Sequence, residues 1–369
     1  MGGDPVNFKN IISFTQKVFA MTENRMTSKI INGDDTISYY RSIHEVTTHD
    51  GMNLIMIRKT PIDHKPKAPV MLVHGLGQNR YSWTLSKRSF ENYLIAEGFE
   101  TFNVELRGHG LSRANGSVYP ETFETYLTAD MPAFVNAIAG LADGRKIFYI
   151  GHSLGGSMAY CAGAQLQDRL AGIISIGGPF NMARGNRLLK VIAHTGVTLG
   201  KLNPIPHRQP DAFYIDVIGI AASLGLGLLD HPAYRIPLQV WYPESMERDI
   251  LSERITKGFD RTSFNVVKFF FQWGARGKFV SSDGNTDFEE EIRELTIPIL
   301  FVNGDRDVAV PEAAVREAYE KAGSKDKIFK VFGGEIDGLH WGHIDLILGR
   351  HAPEITWPYM RDWMNRRIC

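Results

Sequence analysis

Cysteine is nearly absent from this chain, two in 369 residues, and no surplus charge exists, with lysine plus arginine and aspartate plus glutamate at 41 each. Two cysteines build no disulfide framework, and the usage suits a reducing compartment. Cys161 falls in a predicted helix as a small buried apolar residue, and Cys369 ends the chain. Balanced charge gives no net field towards nucleic acid or an anionic membrane, so neither is an expected partner. Long apolar runs are also missing. VIGIAASLGLGLL (Val217 to Leu229) is bracketed by Asp216 and Asp230 and is shorter than the ~20 residues a membrane helix needs. The N-terminal MGGDPVNFKNIISF lacks the basic region and apolar core of a signal peptide, and Val6 stands where myristoylation wants serine or threonine. A soluble, cytoplasmic protein is the expectation. Repeats and low-complexity tracts are absent too.

What is present is an ordinary globular composition, 43% apolar and 22% charged, in a chain long enough to bury a substantial core. Residues 1–40 read as an N-terminal helical extension. His44 to Thr60 reads as a hairpin about Asp50-Gly51, and strands then alternate with helices: Ala68 to Gly75, a helix over Ser82 to Gly98, Glu100 to Leu106. A helix over Thr122 to Leu141 should kink or restart at Pro132. Alternation stops after Phe180 and resumes at Pro298 to Asp305, leaving residues 181–294 as a helical cap inserted between the sixth and seventh strands. The pattern is α/β, a doubly wound sheet formed by residues 41–180 and 295–369.

The chemistry-bearing stretch is KIFYIGHSLGG, Lys146 to Gly156. Ile147-Phe148-Tyr149-Ile150 reads as a strand buried on both faces. It runs straight into Gly151-His152-Ser153-Leu154-Gly155, the pattern G-x-S-x-G. A serine at the apex of a sharp strand-to-helix turn needs a strained backbone. Small residues two places to either side let the turn close and leave the hydroxyl bare. SMAYCAGAQLQ behind it suits a helix on a sheet, and LAGIISIGGP reads as the next buried strand, which completes the βαβ setting the motif requires.

With GHSLGG stand HGLG (His74 to Gly77), RGHGLS (Arg107 to Ser112), NGDRDVAVP (Asn303 to Pro311) and GHIDL (Gly342 to Leu346). In this order and spacing they resemble the α/β-hydrolase superfamily over roughly residues 40–180 and 295–369. Within it the chain looks like the acid-lipase and esterase branch. FETYLTADMPAFVNAI (Phe123 to Ile138) resembles that branch's helix with an Asp-x-Pro-Ala core, and His343-Ile344-Asp345 its His-x-Asp. Polyhydroxyalkanoate synthases share both features but use cysteine at the elbow. Haloalkane dehalogenases and epoxide hydrolases use aspartate there, so Ser153 argues against all three. The resemblance implies an α/β-hydrolase fold with a mostly parallel sheet and no metal or organic cofactor. The cap resembles no particular lid.

Serine needs a base and the base an orienting group, and in this superfamily the chain order is serine, acid, histidine. His343, after Gly342 at the end of the loop following the last strand, is the expected base, with His340 its rival. His351 reads as a surface residue. The acid should come from the loop after PILFVNG: Asp307 has the reach, while Asp305 reads as a turn-shaping residue and remains the alternative. The position after the sixth strand, where some relatives place the acid, offers Asn181. Oxyanion donors should be the backbone N–H groups of Leu76 and Leu154. His74, His109 and His152 read as structural.

The expectation is therefore a carboxylic ester hydrolase working through an acyl-enzyme on Ser153, on a small and hydrophobic ester. Phe269, Phe270, Phe271 and Trp273 either face the pocket or pack cap helix on cap helix. A lid that opens would give transient contact with a lipid interface. An acyltransferase with the same triad and a non-catalytic ligand-binding protein on this fold are the alternatives.

Overall fold

The computed structural model describes residues 18–31, 35–202, 212–233 and 239–368. Among them the strands are β1 (Val18–Lys29), β2 (Thr36–Thr47), β3 (Asn53–Pro61), β4 (Pro69–Val73), β5 (Glu100–Glu105), β6 (Ile147–His152), β7 (Leu170–Ile176), a short pair β8 (Ala212–Phe213) and β9 (Thr262–Ser263), β10 (Ile299–Gly304) and β11 (Lys327–Phe332). All but β8 and β9 form one sheet in the order β1-β2-β3-β5-β4-β6-β7-β10-β11. Pairing is antiparallel from β1 to β5 and parallel from β5 to β11. Strands β4, β6, β7 and β10 are buried on both faces, which is why they read as mostly apolar runs. Val70, Leu72, Phe148, Ile150, Leu300 and Val302 pack on one side with Trp357 and Trp363. Met71, Val73, Ile147, Tyr149, Ile299 and Phe301 pack on the other with Phe134 and Met158. Each fully buried side chain of this kind contributes roughly 1.5–3 kcal/mol.

Three local expectations need correction. Residues 18–29 are not helical: β1 pairs along its length with β2. Cross-strand hydrogen bonds at 2.8 Å from Thr27 to Ser38 and from Ser28 to Tyr39 tie it there. A partner strand overrides a weak local period. The remainder of the expected helical extension, residues 1–17, lies outside the described residues. The extra strand also makes β7, the strand before the insertion, the seventh rather than the sixth. Second, the stretch Ser82 to Gly98 is helical only over Phe90–Ala96. Asn79 caps a single tight turn, Arg80–Ser82, and Ser89 starts the helix by accepting from Asn92 N–H at 3.0 Å, so two caps interrupt what periodicity alone would run together.

The third concerns the cap aromatics. Phe269, Phe270 and Trp273 are buried and Phe271 half-buried. Phe269 stacks on Phe123 at 4.7 Å and Trp273 on Phe279 at 3.8 Å. They belong to the main core cluster, seating the helix Phe264–Arg276 on the segment before Met131 rather than lining a pocket. Large aromatic surfaces favour such burial. The expected break at Pro132 takes the form of a wide π turn, Tyr126–Asp130, before the α-helix Met131–Leu141.

Between β7 and β10 the chain forms helices Arg187–Leu202, Ile215–Leu224, Arg248–Gly258 and Phe264–Arg276. It is tied to the loops at the C-terminal ends of the central strands. Asp260 N–H donates to Gly77 O at 2.7 Å, the Asp260 carboxylate accepts from Gly110 N–H at 2.7 Å, and Ile344 N–H donates to Val240 O at 2.8 Å. Sheets of this kind bind ligands at that end.

Candidate active site

Strand β6 delivers Ser153 with φ 55° and ψ −118°, a conformation that non-glycine residues adopt only when surrounded by constraints. The constraints are visible. Ser153 N–H donates to Ile176 O at 2.8 Å, and the helix Leu154–Leu166 starts at once. A Cβ at Gly151 would lie 2.3 Å from Gly155 O, and one at Gly155 2.4 Å from Val73 O. Both glycines of the motif are thus required by backbone packed against backbone.

The loops after β10 and β11 bring Asp307 and His343 together. His343 Nδ1 lies 2.6 Å from Asp307 Oδ2, and both side chains are buried, at 3% and 0% exposure. Asp307 Oδ1 accepts from Val310 N–H at 2.7 Å, which fixes the carboxylate plane. Gly177, at the end of β7, floors the pair: a Cβ there would fall 2.8 Å from the imidazole and 3.4 Å from Asp307 Oδ2. The His152 ring beside the elbow sits 4.4 Å from the His343 ring, and its Nε2 is 3.2 Å from His343 O. Ser153 Oγ has no hydrogen bond among the described residues.

His340 pairs with Asp305 instead, at 2.6 Å, in a half-exposed position shared with Arg306. Asp305 also accepts from Trp341 N–H at 3.0 Å. This second pair stitches the same two loops together from outside. His351 is exposed beside Glu354, and Asn181 donates to Gly277 O.

The HGLG loop lies against the elbow, since a Cβ on Gly75 would be 2.9 Å from Ser153 Cβ. The N–H groups of Leu76 and Leu154 donate to no other group among the described residues. His74 is fully buried. It accepts from Leu106 N–H at 3.2 Å and donates through Nδ1 to Gly75 O at 2.9 Å, and burial pushes its pKa down to about 3. Burial likewise lowers His109 and His152. These three rings are neutral scaffolding.

Sequence reasoning missed four groups around this site. Arg107 pairs with Asp130 at 2.6 Å and with Asp50 at 2.7 Å, locking the RGHGLS loop to the Asp-x-Pro-Ala helix. Asp345 accepts from Gly342 N–H at 2.8 Å and holds the turn that presents His343. Gln78 accepts from Gly75 N–H at 3.4 Å and Ser82 Oγ at 2.8 Å. The fourth is Gly177. The Asp130 and Asp345 motifs were visible in sequence, but nothing in sequence distinguishes Gln78.

Comparison with known proteins identifies the family and the fold. A family model described as alpha/beta hydrolase fold matches residues 68–346. Lipase member K of Mus musculus is 30% identical over 368 residues, covering 88% of each chain. Triacylglycerol lipase 2 of Arabidopsis thaliana is 31% identical over 128 residues, 30% of each chain, so the match spans under a third of that relative. The crystal structure of Paleococcus ferrophilus monoacylglycerol lipase superposes with a TM-score of 0.56 at 18% identity, covering 86% of this chain and all of that one. No helix among the described residues is long and apolar enough to cross a membrane.

Proposed function

The chain belongs to the alpha/beta hydrolase family, and from that premise we propose that it cleaves carboxylic esters through an acyl-enzyme on Ser153. His343 takes the serine proton as Oγ attacks the acyl carbon, then gives a proton to the leaving alcohol. Asp307 orients the imidazole through Nδ1 and stabilises its cationic form. The N–H groups of Leu76 and Leu154 receive the oxyanion. Water activated by the same imidazole releases the acid and regenerates Ser153. The observation that carries this reading is a strained serine, φ 55°, beside a buried His343–Asp307 pair held at 2.6 Å.

A hydrophobic substrate is supported by the helix Ile215–Leu224. Ile215 packs directly on Gly77 of the HGLG loop, while Val217, Ile218, Ile220 and Leu224 stand exposed beyond it. The names of the lipase relatives point the same way. If this helix swings aside, the same apolar face meets a lipid surface. Cytoplasmic location belongs to this reading on cysteine usage alone.

Labelling with a fluorophosphonate tests the nucleophile: the wild type labels and Ser153→Ala does not. An unlabelled wild type would point to the non-catalytic alternative. A nitrophenyl ester series of increasing acyl length should peak above the shortest members. Free acid as the main product even with added alcohol separates hydrolysis from acyl transfer.

A further inference from the structure

Among the described residues the insertion carries a buried cation, Arg254, that no carboxylate pairs with. Arg254, on the helix Arg248–Gly258, is 1% exposed, and its Nε and Nη1 have no hydrogen-bond partner among the described residues. The other buried arginines are paired, Arg88 with Glu247 and Arg107 with Asp50 and Asp130. Space for the guanidinium exists because residue 258 is glycine: a Cβ there would lie 2.1 Å from Nη1. Burial lowers the Arg254 pKa to about 9, so the group is charged at neutral pH. A buried charge without a counter-charge opposes folding, and the Phe259 ring, 5.4 Å from the guanidinium carbon, offsets only part of that cost.

Its single hydrogen bond leads towards the elbow. Arg254 Nη2 donates to Ser82 Oγ at 3.4 Å, and Ser82 Oγ donates to Gln78 Oε1 at 2.8 Å. Gln78 Oε1 also accepts Gly75 N–H at 3.4 Å and lies 3.3 Å from His152 Nδ1. Ser82, Gln78 and His152 are all buried. Gly75 precedes Leu76 and lies against Ser153. One amide oxygen therefore joins the HGLG loop, the elbow and, through Ser82, the cation of the insertion. Donors in series polarise one another in a dry interior.

We propose that Arg254 and Gln78 are positioning residues for acyl transfer, the guanidinium acting through Ser82 and Gln78 to hold the Gly75–Leu76 peptide so that Leu76 N–H meets the oxyanion. Neither touches substrate. The proposal rests on Ser153 and Leu76 having the roles given above. The buried charge adds to the field at the developing anion, where a low dielectric magnifies it.

The sign of two effects separates this role from a merely structural one. Arg254→Met removes the unpaired charge, so its Tm should equal or exceed that of the wild type. Its kcat on a nitrophenyl ester should fall about tenfold, less than the 10²–10³ lost with a direct oxyanion donor, with KM within about twofold. Gln78→Met should match it, and Gln78→Glu, which keeps the acceptor, should recover activity to within about threefold of wild type. Wild-type kcat in Arg254→Met, a loss that only tracks a fall in Tm, or variants that do not fold would overturn the proposal. Fluorophosphonate labelling keeps the two readings apart. If the wild type fails to label at Ser153, the underlying reading fails. If it labels and Arg254→Met labels equally fast, only this inference does.

Discussion

His343–Asp307 and His340–Asp305 are nearly duplicates: imidazole Nδ1 to carboxylate Oδ2 at 2.6 Å in both, on the same two loops. They differ in where they stand. The first is closed off by Gly177, Val310 and the His152 ring, and faces the end of β6. The second is 35% and 23% exposed and shares Arg306. Water screens the outer pair and competes for its hydrogen bonds, so its worth is that of a surface contact. The inner pair keeps one geometry without solvent, which a general base needs. In the proposed mechanism, enclosure beside Ser153 and not pairing alone is what separates the two dyads.

The sharpest way to break this comparison is to remove each ring. His343→Ala should lower kcat/KM on a nitrophenyl ester by at least ~10⁴-fold, while His340→Ala stays within about twofold. Equal losses would mean the outer pair takes part in the chemistry. Asp307→Asn should cost about 10³–10⁴-fold, because a neutral amide neither holds the tautomer nor stabilises the imidazolium.

Enclosure itself can be tested at Gly177, whose φ is 56° and whose added Cβ would press on the imidazole. Gly177→Ala should lose about 10- to 100-fold in kcat and roughly 1–3 kcal/mol of stability from backbone strain. Full activity in that variant would mean that His343 does not need its floor.

A third carboxyl, Asp345, follows His343 on the other of the two loops and pairs with no cation among the described residues. Burial raises its pKa to about 6, against the pull of Gly342 N–H. The folded protein then keeps this proton to higher pH than the unfolded chain does. The group costs nothing below about pH 4 and progressively opposes folding as pH rises through about 6. Urea unfolding of Asp345→Asn and wild type should show the difference moving in the variant's favour by up to about 3 kcal/mol between pH 4 and 7. A constant difference would mean an unshifted carboxyl. The smallest effect belongs to Asp305→Asn, at most about 1 kcal/mol in stability, with activity unchanged. An activity loss there would erase the contrast between the two pairs.

Much of the sheet was legible because β4, β6, β7 and β10 are buried on both faces and are mostly apolar. β1 was not, since an edge strand with exposed residues from Glu23 to Thr27 carries no such mark. The aromatic run of Phe264–Arg276 advertised burial without saying against what. The elbow was readable because its turn is a short sequence pattern: Gly151 answers to Gly155 four residues on, although Gly155 itself answers to Val73 O on the neighbouring strand. Choosing Asp307 over Asp305 and His343 over His340 drew on chain order and reach, and the distances are the same in both pairs.

By itself, then, the sequence determined what local sterics and periodicity govern: the strained serine turn, the alternation of strands and helices, and the order of serine, acid and histidine along the chain. Only the tertiary structure decided which pair is enclosed, what fills the space over Gly77, and that Arg254 reaches the HGLG loop through Ser82 and Gln78. Those contacts join residues far apart in the chain, Ser82 and Arg254 by 172 positions and His152 and His343 by 191. Burial and hydrogen bonding across such separations depend on how the layers pack, and no spacing within the chain records that.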